Sequence, residues 1–209
     1  KVTSLGSIVI RNCEFKHCFN KNGQGSAIYI NGKENVKNIK EEEEDDDYLG
    51  IIIEDDKFDS CGESGYAVHI LNYPNVTIRY IEVAFSTNKG GGFWIENCGQ
   101  CLMHDCNVTS SITQAVKYEI TNQPASSDFL SITRCDFYEC LGECCFLDVA
   151  KDLPIDVFIG DCLFKDCKKD STQSSIAIGT STNANLITLT IQNNTFKNCG
   201  DLVGYSYVI

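Results

Sequence analysis

One short pattern recurs along this chain: a phenylalanine followed three residues later by a cysteine. The pairs are Phe15 with Cys18, Phe58 with Cys61, Phe137 with Cys140, Phe164 with Cys167 and Phe196 with Cys199. Phe85 precedes Asn88 in the same way, and Val108 with Ser111 fills the slots in one degenerate copy. Repetition at intervals of a few tens of residues indicates a solenoid, in which each copy packs only against its neighbours. The repeat therefore predicts stacked coils.

Two apolar columns precede the phenylalanine in every copy. The residues seven before it are Ile8, Ile51, Ile78, Cys101, Leu130, Val157 and Leu189, and those five before it are Ile10, Ile53, Tyr80, Met103, Ile132, Ile159 and Ile191. Residues two apart share one face of a strand. The next inward column lies two residues before the phenylalanine, three residues after the second column. Because an odd step reverses the side of a strand on which a side chain lies, the chain must bend between these two columns. The predicted bending residues, mostly Asn or Asp, are Asn12, Asp55, Glu82, Asp105, Arg134, Asp161 and Asn193.

A third strand follows each phenylalanine unit. The predicted segments are Ala27–Ile30, Ala67–Ile70, Phe93–Glu96, Val116–Ile120, Phe146–Val149, Ser175–Ile178 and Tyr205–Ile209. No apolar pattern with a helical period occurs. The fold class is therefore predicted to be all-β, a right-handed parallel β-helix of about seven three-strand coils. Residues 1–209 form one domain in this interpretation, either a segment of a longer chain or a subunit that stacks end to end.

The tetrapeptides of the repeat resemble those of a known family. Gly25-Ser26-Ala27-Ile28 and Gly65-Tyr66-Ala67-Val68 are similar to a GGAI motif, and Phe85-Ser86-Thr87-Asn88 matches an FxxN motif. The chain thus resembles the polymorphic outer-membrane-protein type of right-handed β-helix repeat, although most copies carry Cys where that family has Asn. The resemblance implies a surface-exposed, adhesin-like role, and it carries no catalytic residue because the motifs are structural.

Acidic residues dominate the charge, and they are concentrated in one place. The net charge is −12, and the run from Glu41 to Asp47 contributes seven negative charges. This run lies in a predicted insertion, residues 31–50, which is expected to be a solvated loop because like charges repel. Cation binding by this loop stays open, although it lacks the ligand spacing of a preformed calcium loop. The sequence has no basic stripe, so nucleic acid is a poor partner. It also shows no signal-peptide or transmembrane pattern.

Thirteen cysteines fall largely into two columns. Stacked positions in neighbouring coils are about 4.8 Å apart, which lies within the range of Cα separations that a disulfide accepts. The candidate bridges are Cys18–Cys61, Cys140–Cys167 and either Cys106–Cys135 or Cys135–Cys162, with Cys199 continuing the column. The alternative is a column of buried free thiols that pack as small apolar groups. An odd total leaves at least one thiol unpaired within the chain.

Three glycosylation sequons support an extracellular setting. They begin at Asn75, Asn107 and Asn193, and by the repeat register Asn107 and Asn193 point away from the core. Such tripeptides also arise by chance, so they support the assignment only in combination with the cysteine density. The predicted location is extracellular or the cell surface.

Two other groups of cysteines are candidates for chemical sites. Cys98 and Cys101 form a Cys-x-x-Cys near His104 and Cys106, but inward columns and the absence of a helix argue against zinc or thiol exchange. Cys144 and Cys145 are adjacent in sequence. We expect their side chains to point to opposite faces, one joining the core and the other available for an intermolecular bridge.

The aromatic residues near Trp94 offer the other candidate ligand surface. Phe93 and Trp94 follow a glycine run, and Tyr29 and His69 are expected to face outward on neighbouring strands. Strand alternation turns one of Phe93 and Trp94 inward, so a core role is favoured over sugar stacking.

Catalytic signatures of β-helix enzymes are missing from the chain. Of the polygalacturonase-like motifs only Asp55-Asp56 occurs, at a corner with Asp56 turned inward, and the pectate-lyase-like motifs are absent. We therefore predict no catalytic residue, no cofactor and no metal site. The predicted function is adhesion, with a glycan or cell-surface ligand, or a structural rod that self-associates end to end or through neighbouring coils of a longer chain. The alternative is a polysaccharide lyase or glycoside hydrolase, which a groove along one face with three or more converging carboxylates would favour.

Overall fold

The computed structural model describes residues 7–19, 25–32, 50–61, 65–85, 90–121, 128–149, 155–167, 175–180, 187–199 and 203–207. Every regular element in these ranges is a β-strand, and the strands form three parallel sheets of seven strands each. The described part contains no helix that could cross a membrane. The chain is therefore an all-β parallel solenoid, which confirms the predicted fold class. The right-handed sense stays a prediction, in keeping with the strong preference of parallel crossovers.

Each sheet takes one strand from every copy of the repeat. Sheet 1 contains β1 (Ile8–Arg11), β4 (Ile51–Glu54), β7 (Asn75–Arg79), β10 (Gln100–His104), β13 (Asp128–Thr133), β16 (Ile155–Gly160) and β19 (Ile187–Gln192). Sheet 2 contains β2 (Glu14–Lys16), β5 (Lys57–Asp59), β8 (Glu82–Ala84), β11 (Asn107–Thr109), β14 (Asp136–Tyr138), β17 (Leu163–Lys165) and β20 (Thr195–Lys197).

Sheet 3 contains β3 (Ile28–Asn31), β6 (Tyr66–Leu71), β9 (Gly91–Glu96), β12 (Val116–Ile120), β15 (Cys145–Val149), β18 (Ile176–Thr180) and β21 (Val203–Tyr207). These strands overlap all seven predicted third strands. We number the coils 1 to 7 by their strand in sheet 1, so that coil 1 begins with β1 and coil 7 with β19. The predicted acidic insertion at 31–50 lies almost entirely outside the described residues, as does the Glu41 to Asp47 run.

The corner between sheets 1 and 2 depends on a left-handed residue in every coil. The seven residues there have φ between 51° and 56°, and they are Asn12, Asp55, Tyr80, Asp105, Arg134, Asp161 and Asn193. This backbone lets an inward side chain follow another at an odd spacing, because the chain turns at that residue. Six of the seven predicted bending residues are confirmed. A second set of left-handed residues ends the sheet 2 strand in six coils: His17, Ser60, Ser110, Glu139, Asp166 and Asn198.

The predicted register is wrong by two residues in coil 3. Val83, and not Phe85, pairs with Phe58 on one side and with Val108 on the other. Tyr80 consequently takes the corner that was predicted for Glu82. Phe85 occupies the place of Ser60, since its N–H donates to Thr109 O as the Ser60 N–H donates to Ala84 O, and its ring is buried. Phe85 is therefore two residues further along the repeat than the other phenylalanines of the pattern.

A file of stacked rings runs up the interior on sheet 2. Phe15 stacks on Phe58 with ring centroids 4.9 Å apart, and Phe164 stacks on Phe137 at 5.0 Å and on Phe196 at 4.7 Å. Valines interrupt the file in coils 3 and 4. The predicted single file is thus confirmed for five of the six phenylalanines. Around it the inward residues of all three sheets form one core along the axis.

Candidate functional site

The outward face of sheet 3 carries two adjacent files of side chains. In the first, the register places Tyr29, His69, Trp94, Lys117 and Phe146 in successive coils. In the second, it places Leu71, Glu96, Glu119 and Asp148 in successive coils. We call these nine residues the outer strip.

The aromatic rings of the outer strip stack along the axis of the solenoid. His69 lies parallel to Trp94 with centroids 4.0 Å apart, and Tyr29 covers the other side of His69 edge-on at 5.4 Å. Lys117, from the coil on the opposite side, places its Nζ 4.5 Å from the Trp94 ring centroid. Both faces of the indole are therefore occupied by neighbours, and no face remains for a sugar ring. Phe93 is fully buried, as strand alternation predicts.

The carboxylates of the outer strip are bound by the groups beside them. His69 Nε2 donates to Glu96 Oε2 at 3.1 Å, since a carboxylate can only accept. Glu119 Oε2 accepts from Trp94 Nε1 at 3.0 Å and from Lys117 Nζ at 2.6 Å. Burial, followed by the nearby Glu119 charge, raises the pKa of Asp148. Three carboxylates thus lie in neighbouring coils on one face, and two of them, Glu96 and Glu119, accept hydrogen bonds from side chains of the same face.

Sequence reasoning missed the outer strip as a unit. Tyr29, His69, Trp94 and Glu96 belong to predicted third strands, and the expected outward direction of Tyr29 and His69 is confirmed by their register. However, His69 is only 2% exposed because Tyr29, Trp94 and Glu96 enclose it. The connections that precede these strands differ in length, so that the sequence alone does not align one third strand with the next.

All thirteen cysteines are free thiols, so the predicted disulfides Cys18–Cys61, Cys140–Cys167, Cys106–Cys135 and Cys135–Cys162 are not formed. In-register stacking keeps the Cβ vectors of neighbouring coils parallel and about 4.8 Å apart, beyond the typical Cβ separation of a disulfide. The thiols instead donate to main-chain carbonyls: Cys61 Sγ bonds to Phe15 O at 3.4 Å and Cys167 Sγ to Phe137 O at 3.3 Å. The alternative of buried thiol columns is the one that the structure supports.

Cys144 and Cys145 are both buried, which contradicts the expectation that they point to opposite faces. Cys144 stands at the bend that precedes β15, and the chain turns there before the strand begins at Cys145. The preceding coil shows the same arrangement, because Ala115 and Val116 are also both buried. The bend therefore brings two consecutive side chains into the core and leaves neither for an intermolecular bridge.

One thiol cluster forms where sheets 2 and 3 meet. The Sγ atoms of Cys140, Cys144 and Cys167 all lie within 4.8 Å of one another, and all three residues are fully buried. Hydrogen bonds from Cys140 and then Cys144 lower the pKa of Cys167. Cys98, Cys101, His104 and Cys106 do not make such a cluster: Cys98 Sγ bonds to Glu96 O, whereas His104 Nδ1 is 2.7 Å from Asp105 Oδ2 outside the core.

The three sequon asparagines differ in exposure. Asn107 and Asn193 are exposed, at the first residue of β11 and at a left-handed corner respectively, as the register predicts. Asn75, the first residue of β7, is partly buried. Two of the three predicted attachment points are thus accessible on the folded surface.

The two end coils leave part of the core uncovered. Inward residues of coils 2 to 6 are buried, whereas those that sheets 1 and 2 and the corner after sheet 2 contribute to coils 1 and 7 are only partly buried: Ile8, Ile10, Phe15, Cys18, Ile187, Leu189, Ile191, Phe196 and Cys199. On sheet 3, Ile28 and Ile30 of coil 1 are buried. Among the described strands, those of coils 1 and 7 pair with a neighbour on one side only, and they border these partly buried apolar residues.

Comparison with known proteins adds no identity to these observations: no family model, no curated protein and no solved structure matches this chain.

Proposed function

We propose that this protein is a non-catalytic repeat scaffold, extracellular or on a cell surface, whose coils 1 and 7 stack on further coils, either of a second copy end to end or of a longer chain. The observation that carries this proposal is the partly buried apolar residues at both ends of the stack. The extracellular location rests on the exposed sequon residues Asn107 and Asn193 and on the resemblance of the repeat to adhesin-like surface proteins. The free thiols give it no support.

The two ends match each other in register and chemistry. If coil 1 of one copy stacks on coil 7 of another, the repeat places Ile8 above Leu189 and Ile10 above Ile191. Phe15 would then stack on Phe196, so that the ring file continues at its usual spacing of about 4.8 Å. Because the two ends are different surfaces, this contact is heterologous and produces an open rod rather than a closed dimer.

Charge placed on the end surface is expected to abolish this association. Ile10→Lys puts an ammonium group into the partly buried apolar surface of coil 1, whereas Val9→Lys adds the same charge on the outward face of the same strand, where Val9 is 47% exposed. We expect wild type and Val9→Lys to form linear oligomers as concentration rises, and Ile10→Lys to remain monomeric. Analytical ultracentrifugation, with circular dichroism as the folding control, measures this. A wild-type monomer at about 100 µM, or equal association of both variants, would refute the end-to-end contact.

A second candidate, a carbohydrate-active enzyme, is favoured by one specific observation in the outer strip. Glu119 and Asp148 pair directly across neighbouring coils, so their backbones are about 4.8 Å apart. Retaining glycosidases place two carboxyl groups about 5–5.5 Å apart, one of them with a raised pKa. Against this candidate, Lys117 and Trp94 already bind Glu119, and both faces of Trp94 are covered.

Activity measurements separate the two candidates. We expect no reducing ends and no unsaturated uronates when the wild-type protein is incubated with pectin, alginate, xylan or chitin, because Glu96 and Glu119 are already hydrogen-bonded to neighbouring side chains. Glu119→Gln and Asp148→Asn are the matched variants. Turnover by the wild type that both variants lose would overturn the scaffold proposal and establish the enzyme, and turnover that both retain would indicate a contaminant.

A further inference from the structure

We infer that Cys140, Cys144 and Cys167 form a binding site for a thiophilic metal ion, and that the ion is monovalent copper. This inference is independent of the scaffold function, because the three cysteines are fully buried in coils 5 and 6 and none of them belongs to the end coils. Sequence reasoning predicted no metal site, since the three residues are not a recognisable ligand motif and come together only when coils 5 and 6 stack.

The geometry of the three sulfurs suits a trigonal site. A metal–thiolate bond of about 2.3 Å places the sulfurs of a planar three-coordinate ion about 4 Å apart. In the structure the three Sγ atoms lie within 4.8 Å of one another. Rotation of the cysteine side chains that shifts each Sγ by less than about 1 Å therefore suffices to bind an ion, and the backbone does not need to move.

The local chain path holds the three ligands in place. Cys140 and Cys167 follow the aligned phenylalanines Phe137 and Phe164, so they stack in neighbouring coils. Cys144 joins them from the end of the bend that starts at Cys140. This bend is pinned on both sides, because the Leu141 N–H donates to Ser111 O at 2.7 Å and the Cys144 N–H donates to Ser175 O at 2.9 Å.

Gly142 lets this bend lie directly against the coil below. A Cβ at Gly142 would lie 1.7 Å from Thr113 O, so no other residue fits without displacing the backbone. The separation of Cys140 and Cys144 is therefore set by main-chain packing. A site whose ligands are fixed in this way loses little conformational entropy when it binds an ion.

The donor set selects the metal. Thiolates are soft ligands that favour Cu(I) and zinc, but closed zinc sites almost always have four protein ligands. Within the described residues only these three metal-ligating side chains converge. Three thiolates in a dry core match three-coordinate Cu(I). Each thiol transfers its proton to solvent as its sulfur–copper bond forms, and the copper remains Cu(I) because no electron is transferred.

The neighbouring coils show which residues the fold accepts at these positions, and the test variants copy them. Cys140→Ser copies Ser111, which occupies the same place in coil 4, and Cys144→Ala copies Ala115. Cys145→Val copies Val116, its direct ladder partner, and serves as the control because it removes a buried thiol next to the site without removing a ligand.

The test is anaerobic refolding of the reduced full chain with the acetonitrile complex of Cu(I), followed by native mass spectrometry and thiolate-to-copper charge-transfer absorbance. We expect one tightly held copper ion in wild type and Cys145→Val, and at least a tenfold weaker affinity in Cys140→Ser and Cys144→Ala. The proposal is overturned if wild type retains no copper, if the ligand variants retain it as well as wild type does, or if Zn²⁺ displaces Cu(I) at equal concentration. Circular dichroism of the metal-free variants reports any loss of fold separately.

Discussion

Phe164→Ala is expected to lower the free energy of unfolding by about 3–5 kcal/mol, the range measured for large aromatic residues truncated in a core. Phe164 is fully buried and stacks on rings in the coils above and below it, at 5.0 Å from Phe137 and 4.7 Å from Phe196. Removing it leaves a cavity that faces two aromatic rings, and both are held by ladders that do not collapse easily. Urea denaturation followed by circular dichroism measures the change.

Two companion variants test whether the ring file is responsible. Phe164→Leu should cost much less than Phe164→Ala, because Val83 and Val108 show that the file accepts an aliphatic side chain. Phe15→Ala should also cost less, because Phe15 is only partly buried and stacks on a single neighbour. Equal losses for Phe164→Ala and Phe15→Ala would contradict a continuous core that is weaker at its end.

Asp56→Asn is expected to stabilise the protein by about 1–3 kcal/mol at neutral pH, the cost of a buried polar group that has no partner. Asp56 is 1% exposed, its Oδ1 accepts from the Cys13 N–H at 2.6 Å, and its Oδ2 is buried without a hydrogen-bond partner. Asn194 occupies the same place in coil 7. Its Oδ1 accepts from the Cys162 N–H at 2.8 Å and its Nδ2 donates to Ile159 O at 2.8 Å. An amide at position 56 can therefore satisfy both of its polar ends.

The gain from Asp56→Asn should depend on pH with a defined sign. Burial raises the pKa of Asp56 in the folded protein above its ordinary value of 3.8. The folded state therefore binds this proton more tightly than the unfolded state, so stability falls as pH rises from the ordinary value through the raised one. The difference between variant and wild type should grow across this window and stay constant above it. Thermal unfolding at a series of pH values measures it, and a difference that shrinks as pH rises would contradict a raised pKa.

The columns of the repeat could be predicted from sequence because they arise from local periodicity. The alternation of apolar residues predicts that Ile51 and Ile53 point inward, as their counterparts do in the other copies. Asp55 predicts the corner because Asp tolerates left-handed backbone. In coil 3 the FxxN tetrapeptide of Phe85 and the alternation of Val76 and Ile78 predict registers that differ by two residues, and the structure follows the alternation. The apolar alternation is the stronger signal, since a whole strand must bury its inward face whereas one phenylalanine can pack at more than one place.

The chemical sites could not be predicted, because they depend on residues from different coils. Trp94, Lys117 and Glu119 meet only when two third strands are in register, and the connections between these strands vary in length. The thiol cluster depends on the bend that turns Cys144 inward beside Cys145. Adjacent side chains point to opposite faces only within a regular strand, and the chain turns at this bend. The expectation that Cys144 and Cys145 point to opposite faces was therefore wrong.

The ladders described above also determine how the protein resists pulling. Main-chain hydrogen bonds in a parallel solenoid point along its axis, so a force applied between the two ends passes through every coil boundary in series. Each boundary bears the same load, and the rod parts at its weakest one rather than throughout. The interrupted ring file makes coils 3 and 4, where Val83 faces Val108, the boundary with the least side-chain reinforcement on sheet 2.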